Sequence, residues 1–196
     1  MIRCLIRGKS MQILDMIHEN KNRYLTYLSA KMVQSPVGDI LIIVNKDKLC
    51  LLEFVQRKNL RDNLINLSLK TDCPIVWSDN SLIKKIENAL GKYFQGKENQ
   101  FDLPIETNGT PFQKKVWQEI QKIPYGQTTS YAEIAISIGF TSAHRAVANA
   151  VGKNQLAIIV PCHRVINKSG KLGGYAGGID RKEWLLSHEK SPGKKP

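Results

Sequence analysis

Aromatic residues are scarce in this 196-residue chain, at 7%, and acidic residues are scarcer than basic ones. Seventeen Asp and Glu stand against 29 Lys and Arg, a formal net charge of +12, split as +5 over the first 105 residues and +7 after them. So positive a field draws polyanions, nucleic acid above all, and makes their binding salt-sensitive. The same charge also fits a solvated basic surface that aids solubility. No apolar run approaches the roughly 18 residues that a membrane span requires, which excludes a spanning helix. The first ten residues lack a sustained apolar stretch and a small-residue cleavage site, so the expectation is no secretory signal and a cytoplasmic location. Cysteine is limited to Cys4, Cys50, Cys73 and Cys162, with no C-x-x-C spacing and no tight Cys/His cluster. Neither a disulfide framework nor a metal site is expected. There is no internal repeat, and the short basic tail, residues 191–196, reads as disordered. What remains, 42% apolar and 23% charged, suits one generous globular domain or two small ones.

Residues 1–30 read either as an added helix or as a poorly ordered extension, since Ile13, Leu14 and Ile17 have only loose helical spacing. Two β-branched and aliphatic runs, residues 40–44 and 49–54, flank Asn45, Lys46, Asp47 and Lys48 and predict a β-hairpin. Residues 57–69 follow as a helix, 73–77 as a short strand and 81–94 as a second helix, with Gly96 just past its end. The polar segment 95–109, with Pro104 and Gly109, is the best domain boundary. This gives an N-terminal α/β domain over residues 31–105 and a mostly helical C-terminal domain over 106–190, an α+β chain overall. In the second domain Thr110 and Pro111 cap a helix that stops before Pro124. Ser130 and Glu133 form a capping box for another helix, which ends at Gly139. A further helix over residues 142–151 completes a helix-turn-helix pattern, which on spacing alone equals an ordinary helical hairpin.

One thiol stands apart. The apolar run 157–160, a buried strand or the approach to one, delivers Pro161, Cys162, His163 and Arg164. Proline fixes φ and removes a donor, so Cys162 sits at an element boundary rather than inside a ladder. A free thiol is only about 3% ionised at pH 7; a neighbouring Arg164, an imidazole and a helix N-terminus would together lower its pKa by roughly two units, worth about 2.7 kcal/mol. The plain alternative is a buried inert cysteine beside a surface histidine.

Pro161-Cys162-His163-Arg164-Val165, the run from Gly173 to Gly178 and the run from Lys182 to Glu189 together resemble the O6-alkylguanine-DNA alkyltransferases, also called methylated-DNA-protein-cysteine methyltransferases. Gly109 to Gln113, Val116-Trp117, Ile123-Pro124, Gly126, Thr129-Ser130-Tyr131 and Arg145-Ala146-Val147 extend the likeness upstream. Ser35 to Gly38 resembles the start of that family's N-terminal, ribonuclease H-like domain.

The resemblance implies single-turnover repair of double-stranded DNA without a cofactor. An alkyl group would pass from O6 of guanine, with O4 of thymine as a second candidate position, to Cys162. His163 would take the thiol proton through a water and Glu189 would steady the imidazolium. Tyr131 would donate toward the departing guanine, and Asn154 would hold the turn before the active segment. Arg145 would fill the space left by a flipped base, with Ala146 and Ala150 on a helix laid in the minor groove and Thr129 and Ser130 also at the DNA. Val165, Tyr175, Ala176 and Gly177 would line the base pocket. The protein would act as a monomer. Gln155, where the family commonly has proline, and Ala148-Asn149, where a glycine-containing step is usual, depart from the pattern. Two other readings fit fewer of these residues. A Cys/His hydrolase would turn over repeatedly, and a helix-turn-helix regulator would not need Cys162.

Overall fold

A computed structural model describes residues 15–190 of the chain. The readings for Cys4, the start of the extension and the basic tail lie outside these residues. By packing the chain divides into two compact units, one running to Asn88 and including Leu103–Glu106, the other comprising Ala89–Asp102 and everything from Thr107 onward.

The first unit is built on a four-stranded sheet. Its strands are β1 (Leu28–Val33), β2 (Ile40–Val44), β3 (Leu49–Phe54) and β4 (Ile75–Trp77), in the order β3-β2-β1-β4. The pair β2–β3 is the expected hairpin, antiparallel with Ile40 opposite Phe54 and Ile42 opposite Leu52. Every residue of these two strands is buried, which explains their unbroken apolar runs. Leu41, Ile43 and Leu51 pack with Leu60, Leu64 and Leu67 of helix α1 (Leu60–Thr71). The one charged residue in the pair, Glu53, is buried and bound by Arg57 four residues on. Helix α1 begins three residues later than its periodicity suggested, because the Arg57 amide closes a turn onto the Phe54 carbonyl. Strand β4 is shorter than expected because Pro74 has no amide to give a ladder. The described part of the extension holds no α-helix, only a 3-10 turn over Lys21–Arg23, and it is anchored to the sheet. Ile17 enters the core, and His18 exchanges backbone hydrogen bonds with β4 at Ile75 and Trp77, both at 2.9 Å.

Helix α2 (Ser81–Phe94) has the expected limits, and the division between the units falls within it. In the second unit α3 (Pro111–Ile120) opens on Thr110, whose hydroxyl accepts from the Gln113 amide while the Gln113 side chain accepts from the Thr110 amide. Strand β5 (Thr129–Ser130) pairs in parallel with β6 (Val165–Ile166). It leads into α4 (Tyr131–Ser137), where the Ser130–Glu133 capping box forms as the sequence indicates. A turn through Gly139, at φ +82°, joins α4 to α5 (His144–Gly152). The core of this unit collects Val116, Trp117 and Ile120 with Ile134, Val147 and Val151, and Trp117 Nε1 donates to the Ala150 carbonyl at 2.8 Å. The final helix is α6 (Ile179–Lys190). Among the described residues no helix is long and apolar enough to cross a membrane.

Candidate active site

Residues 157–160 are buried as expected but are not a strand. Ile158 takes φ +69° and the chain coils, with the Ile159 amide on the Ala157 carbonyl and the Val160 amide on the Leu156 carbonyl, both at 2.8 Å. The coil ends at Pro161 and passes into a single 3-10 turn, Cys162–Arg164. Three residues of 3-10 helix offer no appreciable macrodipole, so the helix N-terminus expected to help the thiol is absent. Cys162 is buried, at 7% exposed.

Asn154, itself buried, braces this segment. Its Nδ2 donates to the Val160 carbonyl at 2.9 Å and to Cys162 Sγ at 3.0 Å, while its Oδ1 accepts from the Leu156 amide at 3.0 Å. An amide N–H aimed at sulfur stabilises negative charge there.

The 3-10 turn directs His163 and Arg164 inward to Glu189 on α6. His163 is fully buried, and its Nε2 lies 2.7 Å from Glu189 Oε1. Arg164 grips the same carboxylate through Nε at 2.8 Å and Nη2 at 3.0 Å, and its Nη1 donates to the Ile123 carbonyl at 2.6 Å. The guanidinium is therefore spent on Glu189, which corrects the expectation that Arg164 serves the thiol directly. Two further donors reach Glu189: the Gly126 amide to Oε2 at 3.1 Å and the Tyr93 hydroxyl to Oε1 at 2.8 Å. Burial pushes the Glu189 carboxyl pKa up, but the donors and charges of His163 and Arg164 outweigh it and hold the group at about 2. It is thus ionised at neutral pH and can only accept.

That fixes the tautomer of His163. A carboxylate cannot donate, so Nε2 carries the hydrogen and the lone pair of the neutral ring lies on Nδ1. Nδ1 is buried with no hydrogen-bond partner in the protein. Burial lowers the imidazole pKa against the upward pull of Glu189, so the ring is neutral at pH 7 and free to accept a proton.

Two residues that the motifs did not single out for a role belong to the site. Lys182, fully buried, donates from Nζ to the carbonyls of Val165 at 2.6 Å and Leu172 at 2.5 Å, tying β6 to the glycine-bearing loop. Burial draws its pKa down to about 8, and negative charge on Cys162 pulls the other way. Lys182 lay within a quoted motif, and a lysine there was the available signal. Tyr93 falls within the predicted helix 81–94, where nothing local marks it for a role. Tyr131 is half-buried, and its phenol pKa is raised by burial and then by charge on Cys162, which places it within reach of the sulfur's field.

On α5, Arg145 and Ala146 are exposed. Ala150 is not: it is buried, with its carbonyl on Trp117, so its methyl packs inward and cannot meet DNA as expected. Ser130 is mostly buried and committed to its capping box, with Thr129 Oγ1 donating to Glu133 Oε2 at 3.0 Å. Val165 is fully buried, Tyr175 is partly exposed, Ala176 is exposed and Gly177 is buried. In this loop Gly173 and Gly178 have positive φ, at +69° and +100°. No group of three or more His, Cys, Asp or Glu that could hold a metal ion occurs among the described residues.

Comparison with known proteins bears on both units. Residues 23–107 match the ribonuclease-like domain of 6-O-methylguanine DNA methyltransferase, and residues 111–191 match the DNA binding domain of the same family. A methylated-DNA–protein-cysteine methyltransferase of Methanosarcina barkeri is 42% identical over 161 residues, covering 82% of this chain and 96% of that protein. The crystal structure of Mycobacterium tuberculosis OGT in complex with DNA aligns with a TM-score of 0.72 at 38% identity, over 84% of this chain and 94% of the other. An O6-methylguanine-DNA methyltransferase structure from the archaeon Pyrococcus kodakaraensis, at 22% identity and a TM-score of 0.60, shares the fold.

Proposed function

The chain belongs to the 6-O-methylguanine DNA methyltransferase family, and from that membership we propose that Cys162 is the acceptor to which it transfers alkyl groups from damaged DNA. The carrying observation is the ionised Glu189 on Nε2 of His163, which leaves Nδ1 as the available base on the residue next in the chain to Cys162, whose sulfur Asn154 braces.

The thiol proton passes, through one bridging water, to Nδ1 of His163, and the imidazolium is held by Glu189. The thiolate attacks the saturated carbon on O6 of guanine; the S–C bond forms as the C–O bond breaks, Tyr131 donates a hydrogen bond to the departing guanine anion, and that anion takes its proton from water as the imidazolium of His163 gives its own back to water. The thioether has no low-energy leaving route in water, so each molecule reacts once.

To reach a buried sulfur the nucleotide must leave the duplex stack, at a cost of a few kcal/mol. Exposed Arg145, in the first turn of α5, takes the vacated space, and small Ala146 lets the helix approach the minor groove. Ala150 has no part in this contact. Tyr175, Ala176 and the glycines around them, with Val165 behind, form the wall of the base pocket. The 31–105 and 106–190 segments divide the labour, the second carrying the chemistry. Free thiols at Cys50, Cys73 and Cys162 suit a reducing, cytoplasmic setting for a monomer that needs no cofactor.

The test is incubation with an oligonucleotide carrying O6-methylguanine, followed by intact and peptide mass measurement. One CH2 is expected to be added, on the peptide containing Cys162, in stoichiometric amount. An unchanged mass in folded, reduced protein would overturn the reading, and repeated product release would favour a hydrolase.

A further inference from the structure

Glu189 accepts from more donors than a carboxylate's roughly four lone-pair positions offer. Oε1 alone receives the Tyr93 hydroxyl at 2.8 Å, His163 Nε2 at 2.7 Å and Arg164 Nη2 at 3.0 Å. His163 and Arg164 have evident tasks, as relay partner and counter-charge. The tyrosine does not, and it comes from a distant stretch of chain, the last turn of α2. The family model of the ribonuclease-like domain covers residue 93, yet by packing Tyr93 belongs to the same compact unit as Glu189.

Its setting is built for one hydroxyl in one place. Tyr93 is fully buried, and its ring meets Phe94, Phe101, Tyr125 and His188 at centroid distances of 5.2 to 6.1 Å. Its backbone carbonyl accepts from His188 Nε2 at 2.8 Å, one residue before Glu189. Backbone and side chain of one tyrosine thus hold two successive residues of α6. Burial and the charge of Glu189 raise the phenol far above its ordinary range, so it stays a donor at every working pH.

Resting on the alkyl-transfer reading above, we propose that Tyr93 is a positioning residue of the reaction: by occupying Oε1 of Glu189 it limits how strongly that oxygen draws on His163 and fixes the plane in which Nδ1 meets the thiol. The hydroxyl touches no reacting atom and acts only through the carboxylate. Without it, Oε1 would accept more strongly from Nε2 and make the imidazole more basic, so His163 would charge at a higher pH and the neutral base would be lost sooner on the acidic side, while at neutral pH the freed carboxylate would orient Nδ1 less well. The other groups facing this centre are Arg164 on the 3-10 turn, Tyr125 and the Gly126 amide on the loop before β5, and Lys182 and His188 on α6. None of them changes when the hydroxyl is removed.

The experiment uses the full chain and single-turnover transfer from O6-methylguanine DNA as a function of pH. Tyr93→Phe keeps the ring and removes the donor. The expected result is a loss of about three- to tenfold in rate at neutral pH, with the acidic limb of the profile moved up by about half a pH unit. In a Glu189→Gln background the same change should do nothing further, and Tyr93→His, which returns an N–H donor, should recover part of the rate. An unchanged rate and profile would overturn the proposal. So would a rate loss with an unmoved limb that adds to the effect of Glu189→Gln, or failure of both Tyr93 variants to fold, since either would make Tyr93 a packing residue only. Wild-type protein alkylated at Cys162 in the same assay keeps the transfer reading separate from this outcome.

Discussion

Cys162 is enclosed by protein, and His163, the base proposed for it, is enclosed as well. His163 has no exposed surface, and burial lowers its pKa below 6.5. The neutral ring is therefore present throughout the neutral range, and transfer should stay level down to about pH 6.5 and fall below it. A stopped-flow pH series on wild-type protein checks this, and a rate already falling at pH 7.5 would count against Nδ1 as the base. Cys162→Ala should abolish transfer while leaving affinity for lesion-containing duplex intact, measured by fluorescence anisotropy. Glu189 adds a stability term of definite sign. Its carboxyl sits at about 2 against 4.5 for the free group, so its contribution is complete above pH 4.5 and is lost as the pH falls toward 2. The amount is on the order of 3 kcal/mol. Protonation of His163 in the unfolded chain acts in the same direction below 6.5. Urea midpoints should fall through this range. Glu189→Gln should flatten the fall at the cost of about 3–5 kcal/mol at neutral pH, because Arg164 is left buried without its counter-charge.

Elements set where these groups can reach. Gly126 stands at φ +74°, and a Cβ there would come 3.0 Å from the Glu189 carbonyl oxygen. Gly126→Ala should therefore destabilise the fold and slow transfer together, since the same loop supplies an amide to Glu189. The Ser130 cap has a different effect: Ser130→Ala should cost about 1 kcal/mol by thermal or urea unfolding, with transfer nearly unchanged if the residue's task is structural. Helix α5 presents Arg145 on its exposed side and Ala150 on its buried side. Arg145→Ala should slow transfer from duplex roughly 10- to 100-fold and leave transfer from free O6-methylguanine base little altered. Equal losses on both substrates would remove Arg145 from the flipping step.

At the scale of the whole molecule the dominant property is charge. A net +12 with the larger share after residue 105 puts most of the attraction on the segment that carries Cys162. Affinity for undamaged duplex should fall linearly with salt on logarithmic axes, by a slope of about −0.9 for each phosphate neutralised. Affinity insensitive to salt would mean that the basic surface serves solubility alone.

Local physics made much of this protein legible from its residues. The strands at 40–44 and 49–54, the helix at 81–94 and the caps at Thr110 and Ser130 depend on neighbours a few positions apart, and they stand where the sequence put them. Cys162 and His163 were legible as a motif. What the motif could not carry was the direction of each side chain. Arg164 turns from Cys162 to a carboxylate 25 residues away, and that carboxylate also collects an amide from 63 residues back and a hydroxyl from 96 residues back. Ile158 accepts a left-handed backbone, and Ala150 faces inward, for the same reason. Such choices follow from which buried donors and acceptors must be satisfied together, and only the folded chain brings those partners within reach of one another.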